Sequence, residues 1–137
     1  MLKILIADDH KIIRKGLRQI LLEEYPFAYI EEAPNGKILV EKALAGDWNV
    51  IISDISMPVM NGLEALKLIK QQLPDIPVLI LSIPTEEQYT VSVIRAGASG
   101  YLSKDAISEE LINAIQHILS GGIYIPSYIS GNENGNG

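Results

Sequence analysis

The chain has 137 residues, 47% of them hydrophobic and 20% charged, which is the size and make-up of one globular domain. Its 17 acids against 11 Lys+Arg give a formal charge of −6, and such a surface does not attract a phosphate backbone, so direct nucleic-acid binding by this chain is not expected. The absence of cysteine excludes a disulfide framework, a thiolate zinc site and a cysteine nucleophile. No apolar run approaches a membrane span, and acids follow the short apolar N-terminal run where a signal peptide would carry its cleavage region. A cytoplasmic location, with no membrane contact, is the expectation.

Along the chain, short apolar runs alternate with longer helical periods. The runs Lys3–Ala7, Val50–Ser53 and Val78–Leu81 are near-continuous, as in strands covered on both faces. Ala28–Ala33 is mixed and Tyr101–Ser103 is short, and both suit sheet edges. Between them, Ile13, Leu17, Ile20 and Leu21 share a helical face, as do Leu39, Val40, Ala43 and Leu44. Leu63, Leu66, Ile69 and Leu73 form a third stripe, and Tyr89, Val93 and Ile94 a fourth. Leu111, Ile112, Ile115, Ile118 and Leu119 form the last. Pro26, Gly46, Pro74, Gly97 and Gly121 mark the stops.

Five strand-then-helix repeats with right-handed crossovers predict an α/β fold. The expected form is a doubly wound, five-stranded parallel sheet in the flavodoxin-like order 2-1-3-4-5, with helices on both faces. Residues 1–122 form the predicted domain, and 123–137, ending in a Gly- and Asn-rich stretch, read as a flexible tail.

Ligands of such sheets bind beyond the carboxyl ends of the strands. Asp8 and Asp9 follow the first predicted strand, Asp54 the third, Ser82 the fourth and Lys104 the fifth. The second strand offers Pro34 and Asn35. Crowded carboxylates repel unless a cation joins them, and oxygen ligands favour a hard ion such as magnesium. A lysine and a hydroxyl there can bind phosphoryl oxygens, and a carboxylate can form an aspartyl phosphate. Each residue alone has an ordinary reading. Asp8 and Asp9 can cap a helix, Asp54 can make an Asx-turn before Met57-Pro58, Ser82 can be a loop serine, and Lys104 a solvated one. Tyr101 can simply pack. His10 reads as a first-turn residue, His117 as surface, and Trp48 as packing before the third strand. Their joint placement on one rim is the signal.

Four ordered motifs in these residues resemble the response-regulator receiver family: I-L-I-A-D-D-H, the loop Asp54–Gly62 (D-I-S-M-P-V-M-N-G), Leu81-Ser82, and Gly97–Lys104 (G-A-S-G-Y-L-S-K). The resemblance implies that Asp54 accepts a phosphoryl group from a sensor histidine kinase. It implies magnesium held by Asp9, Asp54 and the Ser56 backbone carbonyl, with Asp8 acting through water. Lys104 would hold Asp54 and then the phosphate, Ser82 would close on it, and Tyr101 would swing inward behind. The fifth-strand signature and last helix look most like the NarL-like regulators. Those act on DNA as dimers through a C-terminal helix-turn-helix domain that this chain lacks, so a phosphorylation-dependent homodimer is a further expectation. Beyond its own phosphorylation and dephosphorylation no enzymatic turnover is expected.

Departures from the family pattern are Ile83 where a small residue is usual, Pro84 after it, and Asp105 after Lys104 where proline is common. The Lys104–Asp105 peptide state is left open. Two readings of Ile83 stand: a gate at the mouth of the site, or a core residue under the fourth helix. Rivals on the same fold are a flavin or nucleotide binder, which needs a phosphate loop where Asp8 and Asp9 stand, and an aspartate-nucleophile hydrolase, which needs a second acid where His10 or Lys11 stands. An interaction-only receiver is the third, and the complete acidic set argues against it.

Overall fold

The computed structural model describes residues 1–125. The strands are β1 (Lys3–Ala7), β2 (Tyr29–Ala33), β3 (Val50–Asp54), β4 (Val78–Ser82) and β5 (Gly100–Ser103). They form one sheet in the order β2-β1-β3-β4-β5, every adjacent pair parallel. This is the expected order. The helices are α1 (Lys11–Glu24), α2 (Gly36–Ala45), α3 (Gly62–Gln72), α4 (Thr90–Arg95) and α5 (Ile107–Leu119).

Strand alternation divides the core into two layers. Ile4, Ile6, Val50, Ile52, Leu79 and Leu81 face α1 and α5, where Leu17, Leu21, Leu111 and Ile115 complete the packing. Leu5, Ile51, Val78 and Ile80 face the other way, onto Leu39, Leu66, Ile69 and Val93 of α2, α3 and α4. Both faces are therefore covered, and the polar ends of the strands are where the sheet offers side chains to solvent. Among the described residues, no helix is long and apolar enough to cross a membrane.

The fourth predicted helix is the least regular. Pro84–Tyr89 is a 3-10 turn, and α4 proper has six residues. Val93 is buried, but Tyr89, expected on the same inner face, is exposed. Leu44 and Leu119 also face outward, each one step round its helix from a buried neighbour, Ala43 and Ile118. Ile123 and Tyr124 lie beyond the expected boundary at 122, yet Tyr124 bridges to Gly100 of β5. Its carbonyl accepts from the Tyr101 amide at 2.8 Å, and its amide donates to the Ser99 carbonyl at 2.9 Å. The packed unit thus runs past 122, and the rest of the expected tail, 126–137, lies outside the described residues.

The loop between β3 and α3 is braced at close quarters. The Gly62 amide donates to the Ile55 carbonyl at 2.7 Å, and Asn61 caps α3 in a reciprocal box with Glu64. A β-carbon on Gly62 would run into the Asp54 carbonyl oxygen. Gly62→Ala is therefore expected to cost about 1–3 kcal/mol, measured by chemical denaturation. Gly16→Ala in α1, where an added β-carbon meets nothing within 4 Å, should instead gain up to about 1 kcal/mol.

Candidate functional site

β1 and β3 are neighbours at the centre of the sheet, so their carboxyl ends bring Asp8, Asp9 and Asp54 together. Asp8 and Asp54 are buried, and Asp9 is exposed. Carboxylate oxygens of all three, with a ring nitrogen of His10, lie within 4.8 Å of one another. Lys104, delivered by the end of β5, reaches across the rim. Its Nζ stands 2.9 Å from Asp8 Oδ2 and 3.1 Å from Asp54 Oδ2. The ammonium is the counter-charge that lets two buried carboxylates coexist.

Burial penalises the charge on Asp54, Asp8 adds repulsion, and Lys104 offsets only part of this, so the Asp54 pKa is pushed up to about 6. Glu86 adds a smaller repulsion. Burial pulls Lys104 down, but the Asp8 and Asp54 carboxylates outweigh it and leave its pKa above the ordinary lysine value. Asp8 Oδ1 accepts from the His10 amide at 2.8 Å. Asp8 Oδ2 is buried and, among the described residues, has the Lys104 ammonium beside it without an aligned hydrogen bond. Three carboxylates and one under-satisfied buried oxygen are a donor set that fits a hard divalent cation.

His10 stands at the N-cap of α1, one residue before the expected first turn, with Nδ1 at 3.2 Å from both Asp8 and Asp9. Neither Asp8 nor Asp9 caps α1: His10 holds the N-cap position with no side-chain cap bond, and Asp8 instead closes a turn onto the His10 amide. Asn35, at the end of β2, caps α2 through the Ile38 amide and takes no part in the rim. Lys104–Asp105 is a trans peptide, as are all peptides among the described residues.

At the end of β4, the buried Ser82 hydroxyl donates to the Tyr101 hydroxyl. Tyr101 is 1% exposed, so its ring already lies inward, where the sequence led us to expect it only after phosphate arrives. Its hydroxyl also reaches the Glu86 carbonyl at 3.4 Å. The Glu86 side chain accepts from the Ser56 hydroxyl and, at 2.9 Å, from the Ile83 amide. Ile83 is 44% exposed, which removes the core reading of that residue. Trp48 packs as expected, its Nε1 donating to the Lys42 carbonyl at 2.9 Å. It sits before β3, about 20 Å of strand from Asp54, and is a poor reporter of the site.

Sequence reasoning missed Glu86 and Arg14. Arg14 Nη1 donates to the Asp8 backbone carbonyl at 2.7 Å, and its Nε pairs with Glu32 at 2.9 Å. The available signal was a basic residue early in the first helix, opposite two acids in the mixed second strand.

The response regulator receiver domain family matches residues 4–116. The chain belongs to that family. Transcriptional regulatory protein DegU of Brevibacillus brevis is 38% identical to this receiver over 131 residues, or 96% of this chain and 56% of that protein. Response regulator UvrY of Escherichia coli is 36% identical over 130 residues, or 95% and 60%. A solved LuxR-family response regulator from Aurantimonas superposes with a TM-score of 0.84 at 28% identity, covering 94% of this chain and 92% of that one. The receiver is thus of the NarL/LuxR type, and it spans about three fifths of the length of the curated relatives it matches.

The raised Asp54 pKa has a measurable consequence. The folded state holds this proton more tightly than the unfolded chain, so stability falls as pH rises from 3.8 to about 6 and stays low above that. In metal-free buffer above this window, Asp54→Asn is expected to be more stable than the native receiver by on the order of 2 kcal/mol. Below the window the two should converge. Urea midpoints at both ends check the sign.

Proposed function

We propose that this receiver takes a phosphoryl group from the phosphohistidine of a sensor histidine kinase onto Asp54, and so controls an output. The observation that carries the reading is the Lys104 ammonium spanning Asp8 and Asp54 at the end of the central strands. A buried carboxylate beside a fixed cation and two further acids is suited to receive a dianionic group and a divalent ion together.

In this reading an Asp54 carboxylate oxygen bonds to phosphorus as the phosphorus–nitrogen bond of the donor breaks, and the imidazole leaves. Asp9, Asp54 and the Ser56 backbone carbonyl would hold a magnesium ion, with Asp8 acting through a water. The ion, when bound, offsets the charge of the incoming group and orients its oxygens. Lys104 stays on one phosphoryl oxygen as a point charge. The Ser82 hydroxyl gives up Tyr101 and donates to another. Water later attacks phosphorus, releasing inorganic phosphate and restoring the carboxylate. The chain turns over no other substrate.

The switch follows from the Ser82 exchange. Tyr101 loses its partner when Ser82 turns to the phosphate, so a charge event at Asp54 is felt on β5 and its flanking helices. The full-length protein, in this reading, is a cytoplasmic transcription regulator in which a helix-turn-helix domain follows the receiver and supplies the DNA contact.

Incubation with magnesium and a small phosphodonor should add the mass of one phosphoryl group to the intact chain. Asp54→Asn, or excess chelator, should abolish the gain, and an unchanged yield in either would refute the assignment. Sedimentation of both forms over a range of concentrations is expected to show tighter self-association after phosphorylation.

Ile83 has a role of its own in this reading. Its β-branched side chain stands exposed next to Ser82, and Pro84 stiffens the backbone that carries it. It narrows the approach of the hydrolytic water. Ile83→Ala should shorten the phosphoryl lifetime while changing stability by less than about 0.5 kcal/mol. An unaltered lifetime would remove the gate.

A further inference from the structure

We infer that Arg14 is a positioning residue for the acidic cation site, acting through the peptide that joins Asp8 to Asp9. The inference rests on the reading of Asp8, Asp9 and Asp54 as the magnesium-binding acids. Asp9 is the exposed member of that set, and its side chain has the His10 ring at 3.2 Å as its neighbour. Little therefore fixes its carboxylate from the solvent side. What fixes it is the backbone. The Asp8 carbonyl belongs to the Asp8–Asp9 peptide plane, and Arg14 Nη1 holds that oxygen at 2.7 Å. Because a peptide unit is planar, pinning its oxygen holds the plane that carries the Asp9 nitrogen and Cα, the point from which that side chain departs.

Arg14 is itself held. Its side chain is 15% exposed, and Nε is paired at 2.9 Å with Glu32 Oε1 on β2. The other Glu32 oxygen takes Arg18 Nε at 2.8 Å, and Arg18 Nη2 donates to the Ile30 carbonyl at 3.1 Å. Lys42 Nζ adds a bond to the Glu32 carbonyl at 2.8 Å. Burial acts against the Glu32 charge, but the two guanidinium groups outweigh it and hold its pKa below the usual carboxylate range. The two arginines share one carboxylate and the same face between α1 and β2. They differ in one respect: Arg14 ends on an acid of the site, whereas Arg18 ends on a strand carbonyl away from it.

That difference gives the test. Arg14→Gln with Glu32→Gln removes one charge of each sign, and so does Arg18→Gln with Glu32→Gln. The net charge is the same in both, and only the first pair removes the donor to the Asp8 carbonyl. The probe is manganese(II), an oxygen-preferring stand-in for magnesium, with free ion followed by electron paramagnetic resonance. Residues that orient metal ligands typically change affinity by about 10–100-fold when lost. The Arg14 pair is expected to weaken manganese binding by about tenfold, and the Arg18 pair by less than about twofold. Denaturation midpoints of the two pairs should be similar, since both open the same brace. Arg14→Lys keeps the charge but cannot fork between Glu32 and the carbonyl, and an intermediate loss is expected. It also serves should the Arg14 pair fail to fold. Equal manganese affinities in the two pairs, or native affinity in Arg14→Lys, overturn the inference. A native receiver that takes up no manganese overturns the metal reading and this inference with it.

Discussion

One ammonium group makes the carboxyl end of this sheet possible. Parallel strands covered on both faces force their polar ends to a single rim, and here β1 and β3 place Asp8 and Asp54 side by side in the buried part of it. Two ionised carboxylates at that depth repel strongly. Lys104, which follows β5 and so stands two strands from Asp54 and three from Asp8 across the sheet, reaches both. It leaves Asp54 under-compensated, with a pKa raised to about 6. The residual imbalance leaves an acidic rim that fits a further cation. A fully neutralised rim would be stable and inert.

The layers were legible in the sequence because their cause is local. Lys3–Ala7 reads as a doubly covered strand and forms β1 with those bounds. The stripes at Leu17 and Leu21, or at Leu111 and Ile115, point to the α1–α5 layer because apolar spacing decides which face a helix buries. The rim residues were legible by position: each follows a strand, and parallel strands end together. What failed depends on through-space neighbours. Periodicity at Tyr89, Val93 and Ile94 continues a helix that Pro84 and the Glu86 side chain convert to a 3-10 turn. The inward Tyr101 needs Ser82 as its partner, which no spacing reveals. Arg14 is only half legible, because an acid on the second strand signals a partner while a backbone carbonyl does not.

Tyr124 closes the far edge of the sheet. An unpaired β5 edge would offer its amides and carbonyls to another chain, and one residue past α5 covers part of that risk. Gly100 permits the approach, since a β-carbon there would press on the Tyr124 carbonyl. The Tyr124 hydroxyl is tied to Glu110 and its ring meets His117 edge-on, so α5 clamps the segment from behind.

This seam also has a mechanical meaning. The carbonyl of Tyr124 is bonded to the Tyr101 amide. Tyr101 is thus held at its backbone by the seam and at its hydroxyl by Ser82. The edge seam and the rim therefore meet in one residue, like two hands on a single rope.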